Sequence, residues 1–130
     1  MTASLEGIRV LVVEDEYLVA VLIEDMLESA GCVVTGPISR IPEALDAVDH
    51  DTYDAALLDI NLGGERVDPV AQALTNRNVP FVFVTGYGAT GLPGEFAERP
   101  HICKPFRMAD LLGTLSGLVK PAMGREALPV

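Results

Sequence analysis

The chain has 130 residues, enough for one domain with a substantial core, and 49% of them are hydrophobic. Its net charge of −10 would repel a sugar-phosphate backbone, which argues against nucleic acid as a partner. No apolar run reaches the roughly 18 residues of a membrane-spanning helix. The opening MTASLEG has neither the basic start nor the apolar stretch of a signal peptide, so a cytoplasmic location is expected, with no membrane partner.

In chain order, Ile8 to Val13, apolar but for Arg9, reads as a fully buried strand. Val19, Leu22, Ile23, Met26 and Ala30 then fall on one helical face, and Gly31 ends that helix. Cys32 to Thr35 reads as a short strand and Gly36-Pro37 as a turn. Ile41 to Val48 is a helix with Pro42 in its first turn. Ala55 to Ile60 is a third strand, and Asp68-Pro69 opens a helix to about Asn76, with Asp68 as its cap. Val79 to Thr85 is a fourth strand, whose Phe81 and Phe83 should give the core at least one ring.

From Gly86 to Pro100, four glycines and two prolines occupy fifteen positions. Both are poor helix formers, so a loop is expected, with at most a turn or two of helix where the alternation calls for a fourth one. His101 to Cys103 is a last strand, and Met108, Leu111, Leu112, Leu115 and Val119 mark the final helix. The folded domain is thus residues 1–119, and 120–130 reads as a flexible tail. Cys32 and Cys103 fit no metal spacing and read as small buried apolar residues. Arg40 and Arg66 read as solvated helix-end charges.

Strands alternating with helices on short connections favour one parallel sheet with helices on both faces. The site of such a sheet lies beyond the carboxyl ends of its strands. Those ends collect Glu14 and Asp15, Asp59, Thr85 and Lys104. Crowded carboxylates raise one another's pKa unless a cation neutralises them, and Mg²⁺ prefers a few carboxylates, a carbonyl and waters. An aspartate can attack phosphorus to give an aspartyl phosphate. An ammonium and a hydroxyl can then serve the equatorial oxygens.

VVEDE, LLDINL, FVT and CKPF, in that order at the ends of successive strands, resemble the receiver domain of two-component response regulators. The resemblance covers about residues 7 to 119. It implies a flavodoxin-like, doubly wound α/β fold with a five-stranded parallel sheet in the order 2-1-3-4-5. It implies Asp59 as phosphoacceptor, with Thr85 and Lys104 contacting the phosphoryl group. Asp15, Asp59 and the backbone carbonyl of Asn61 would bind Mg²⁺ or Mn²⁺, with Glu14 acting through a water, and Lys104-Pro105 matches a peptide bond often cis in the family. Pro80 to Gly88, PFVFVTGYG, is similar to the Phe-Ala-Thr-Gly-x-Tyr type of receiver from alphaproteobacterial stress signalling, with Val84 in place of alanine and Tyr87 directly after Gly86. That likeness implies a single-domain regulator, and the stop at Val130 is read as leaving no room for an output domain. The expected partners are a histidine kinase or histidine phosphotransfer protein and a downstream protein.

Where many receivers carry Tyr or Phe three residues before the lysine, this chain has His101. The expected switch therefore involves Gly86, Tyr87 and His101, and Gly86 leaves room beside the phosphoryl site. Tyr17, Leu18 and Val21, on the outer side of the first helix, are expected to dock the phosphodonor. Glu16 is expected to point away from the site and open that helix, where negative charge suits the dipole.

The expected activity is self-phosphorylation with slow loss to water rather than conventional turnover. A phosphate sink, a relay intermediate and a binding-only pseudo-receiver are the alternatives. A carboxylate-nucleophile phosphatase would pair Asp59 with an acid two residues on, where Asn61 stands, and a nucleotide-binding domain would need a glycine-rich first turn, where Glu-Asp-Glu stands.

Overall fold

The computed structural model describes residues 5–86 and 100–119. In chain order the elements are β1 (Arg9–Val13), α1 (Tyr17–Ser29), β2 (Val33–Ile38), α2 (Ile41–His50), β3 (Ala55–Asp59), β4 (Asn61–Leu62), β5 (Glu65–Arg66), α3 (Asp68–Asn76), β6 (Phe81–Thr85), β7 (His101–Cys103) and α4 (Met108–Leu118). Five strands form one sheet in the order β2-β1-β3-β6-β7, and β4 and β5 form a separate two-stranded hairpin. Every pairing in the large sheet is parallel. This is the expected flavodoxin-like 2-1-3-4-5 order. The expected stub of fourth helix, Tyr87 and the tail from Lys120 lie outside the described residues.

Strand periodicity distributes the core between the two faces. Val10, Val12, Ala55, Leu57, Val82 and Val84 pack against Ile23 and Leu27 of α1 and Leu111 and Leu115 of α4. The residues between them, Leu11, Val13, Ala56, Leu58, Phe81 and Phe83, meet Ala44 and Val48 of α2 and Val70, Ala71 and Leu74 of α3. The two phenylalanine rings are both buried and stack edge to face at 5.4 Å. Central strands covered on both faces must be apolar at every position, which is why these runs are continuous rather than alternating.

Helix ends follow from local chemistry. Gly31 takes the left-handed conformation after α1, and Cys32 N–H returns to Leu27 O at 3.0 Å. Asn78, also left-handed, does the same after α3, where Val79 N–H reaches Leu74 O at 3.0 Å.

Several expectations need correction. β2 does not stop at Gly36-Pro37: it runs through both to Ile38, with a register jump between Leu11 and Val13 on β1. Because β2 is an edge strand, a proline and a bulge cost it little. Gly36 has φ of 107°, and a Cβ there would lie 2.5 Å from Val12 O. On α1 the buried stripe is Ala20, Ile23 and Leu27, and Leu22 is exposed. The helix opens YLVAVLI, apolar nearly all round, so hydropathy alone could not fix its rotation. Asp68 is the first helical residue rather than the cap, which is Val67, and Asp68 pairs with Arg66 at 3.2 Å. Cys32 is buried, but Cys103 is exposed, since β7 is the other edge strand.

Candidate functional site

The large sheet sets the site by where its strands stop. β1 delivers Glu14 and Asp15, β3 ends on Asp59, β6 on Thr85, and Lys104 directly follows β7. Backbone pairing continues past the strands and fixes these ends: Glu14 N–H donates to Ile38 O at 2.9 Å and Lys104 N–H to Thr85 O at 2.8 Å. The Lys104-Pro105 bond is cis. A cleft of about 290 Å³ opens there, lined by Asp15, Glu16, Asp59, Asn61, Thr85 and Lys104 among others.

Glu14 and Thr85 are the buried polar residues among those described. One Glu14 oxygen, Oε2, accepts from Glu16 N–H at 3.1 Å and from Lys104 Nζ at 3.2 Å. The other, Oε1, is buried with no hydrogen-bond partner among the described residues. Asp59 Oδ2 lies 3.5 Å from Lys104 Nζ.

The electrostatics follow from this crowding. Burial pushes the Glu14 carboxyl up to about 7, and the neighbouring Asp59 adds to the shift while the Glu16 amide and Lys104 oppose it. Asp59 is raised as well, first by burial and also by Asp15, against the pull of Glu14, Lys104 and the Asn61 amide. Burial pulls the Lys104 ammonium down, but Glu16, Glu14 and Asp59 outweigh it and hold it above the ordinary lysine range.

Glu14, Asp15 and Asp59 each offer an oxygen within 4.8 Å of the others. An all-oxygen donor set with an unsatisfied buried carboxylate atom fits a hard divalent cation, which would relieve both the repulsion and the orphan oxygen.

Two features of the site were not expected. Glu16 does not point away: its Oε1 accepts from Lys104 Nζ at 2.6 Å. It stands at the N-terminal boundary of α1, as expected, yet makes no side-chain capping bond there. Nothing in VVEDE distinguishes which of three adjacent acids reaches a lysine 88 residues away. The second feature is the β4–β5 hairpin. Gly63 and Gly64 both take positive φ, 56° and 89°, and join the strands through a two-residue turn. The Gly63 N–H donates to Asp15 Oδ2 at 2.7 Å. Here a signal was present, since Gly-Gly between two short flanks is a hairpin sequence.

The remaining expected residues sit as follows. Gly86 is exposed at the cleft, and a Cβ there would meet nothing within 4 Å. His101 is exposed on β7, paired in register with Phe83. Tyr17 and Leu18 are 77% and 80% exposed at the start of α1, and Val21 is half-buried.

A parallel sheet of this order with acids, a hydroxyl and a lysine at its carboxyl edge defines a receiver, and the chain belongs to the response regulator receiver domain family, whose model matches residues 10–116. Among sequence relatives it is 32% identical over 112 residues to the phyllosphere-induced regulator PhyR of Methylorubrum extorquens, covering 83% of this chain and 42% of that protein. The chain spans about half the length of the sequence relatives it matches, or less.

Among solved structures, SdrG from Sphingomonas melonis Fr1 superposes with a TM-score of 0.78 at 40% identity, covering 90% of this chain and 98% of that one. The receiver domain of the sensor histidine kinase PA1611 from Pseudomonas aeruginosa PAO1 superposes with a TM-score of 0.75 at 27% identity, covering 87% and 98%, and holds a magnesium ion coordinated in its active site cleft. The likenesses to PhyR and SdrG agree with the receiver type expected from Pro80 to Gly88. Among the described residues no helix is long and apolar enough to cross a membrane.

Proposed function

We propose that Asp59 accepts a phosphoryl group from a phosphohistidine on a histidine kinase or histidine phosphotransfer protein, and that the output is a change in protein–protein binding. The observation that supports this most is the convergence of Asp59, Thr85 and Lys104 with an acidic cluster on one cleft. An Asp59 carboxylate oxygen attacks phosphorus, an O–P bond forms, and the P–N bond breaks with its electron pair leaving on the donor imidazole. The Lys104 ammonium and the Thr85 hydroxyl donate to the equatorial oxygens as their charge develops. Asp15, Asp59 and the Asn61 carbonyl would hold Mg²⁺ or Mn²⁺, with Glu14 acting through a water. When bound, the ion neutralises the clustered carboxylates and the phosphoryl oxygens. Attack of water on phosphorus later returns phosphate and restores the Asp59 carboxylate, so the cycle is slow self-dephosphorylation rather than turnover of a free substrate.

Tyr17, Leu18 and Val21 serve as the docking surface for the donor, supported by the exposure of the first two immediately after cleft-lining Glu16. Gly86, Tyr87 and His101 carry the switch, and the open space at Gly86 leaves room for the incoming group. Such a switch works by shifting a population between two surfaces read by another protein.

The test is incubation with phosphoramidate and Mg²⁺, followed by intact-protein mass. One added phosphoryl group is expected; it requires the cation, decays with time and is absent from Asp59→Asn. No adduct with or without metal contradicts the reading and leaves a receiver that acts by binding alone.

A further inference from the structure

Lys104 is held by more acid than its proposed task requires. Its ammonium contacts Glu14 at 3.2 Å, Asp59 at 3.5 Å and Glu16 at 2.6 Å, and the shortest contact goes to the most exposed partner. The Glu16 side chain is 61% exposed, against 1% for Glu14 and 12% for Asp59. Because Glu16 makes no capping bond to α1, its carboxylate is not committed to holding the helix. It also lines the cleft.

We infer that Glu16 is a positioning residue for Lys104. It holds the ammonium at the mouth of the cleft in the unphosphorylated protein and gives it up when a phosphoryl group enters. The inference rests on the reading of Asp59 as phosphoacceptor.

An ammonium has three donors, and here they face three carboxylates. Oxygens carried in on a phosphoryl group compete for the same donors from deeper in the cleft. The Glu16 contact opposes that competition by whatever it is worth, and an exposed ion pair is worth a factor of a few in an equilibrium constant. Glu16 also repels an incoming anion directly. The two effects separate, because the first needs Lys104 and the second does not.

Beryllofluoride with saturating Mg²⁺ serves as the probe for the phosphoryl group, and its dissociation constant is measured by calorimetric titration. The proteins compared are wild type, Glu16→Gln, Lys104→Met and the double variant. Glu16→Gln is expected to bind about three- to fivefold tighter than wild type. That gain should fall in the Lys104→Met background to the smaller part due to direct repulsion, and shrink as salt is raised. A gain undiminished without Lys104 overturns the inference and reduces Glu16 to a nearby charge; an absent gain overturns it too. Where Lys104→Met binds too weakly to titrate, the ¹⁵N resonance of Lys104 Nζ decides. It should move in Glu16→Gln, and an unmoved resonance overturns the inference. Failure of the underlying reading looks different, since wild type would then bind no beryllofluoride at all.

Discussion

Glu14 is the group whose replacement tests the electrostatics of the cleft most sharply. In the folded chain its carboxyl is raised from 4.5 to about 7, chiefly by burial and next by Asp59. Between those two values the folded chain holds a proton that the unfolded chain has released. Stability therefore falls as pH rises through that window, and it levels off above the folded value. With one pKa unit worth about 1.4 kcal/mol, the ionised carboxylate costs roughly 3 kcal/mol at about pH 8. Glu14→Gln keeps the shape without the charge. In chelator, urea denaturation should show the variant more stable than wild type by about 2–3 kcal/mol at about pH 8, and within about 0.5 kcal/mol of it at about pH 4.5. Saturating Mg²⁺ should shrink the gain at the higher pH, because a bound cation stabilises the ionised form. An equal effect at both pH values, or a Glu14→Gln protein less stable at pH 8, would refute the picture of an uncompensated buried carboxylate.

Gly36→Ala should destabilise by about 3 kcal/mol, read as a lowered urea midpoint at constant slope, since its Cβ would be driven against Val12 O at a positive φ. Phe83→Ala, which empties a fully buried site and removes the edge-to-face contact with Phe81, should cost about 3–5 kcal/mol by the same assay. Lys104→Met should slow phosphorylation by phosphoramidate by about 10²–10³, followed by intact mass against time, because a preorganised cationic donor is lost. A rate within a factor of two of wild type would remove Lys104 from the chemistry.

The sheet was legible because its three central strands are covered on both faces. Burial on both sides leaves Val10 to Val13, Ala55 to Leu58 and Phe81 to Val84 no room for a polar residue. The strand ends were legible for the opposite reason: Glu14, Asp59 and Lys104 are charges placed where an apolar run stops. Edge elements were less readable. β2 is only partly buried and crosses Gly36-Pro37, a pair that signals a turn anywhere but on an edge or bulge. Cys103 follows the same logic on the other edge. The rotation of α1 was misjudged at Leu22 because apolar residues surround most of its first two turns. The reach of Glu16 to Lys104 is a tertiary fact: it depends on β1 and β7 ending at the same edge, and no local pattern records it. The Gly63-Gly64 hairpin did leave a local signature, in two adjacent glycines that adopt consecutive positive φ without a steric cost.

The central claim is that Asp59 carries the phosphoryl group. Borohydride reduction of the phosphorylated chain converts an aspartyl phosphate to homoserine, and peptide mass spectrometry then locates the converted residue. The account predicts conversion at Asp59, dependent on both phosphodonor and divalent cation. Conversion at Asp15 or another acid, with Asp59 unmodified, would contradict it.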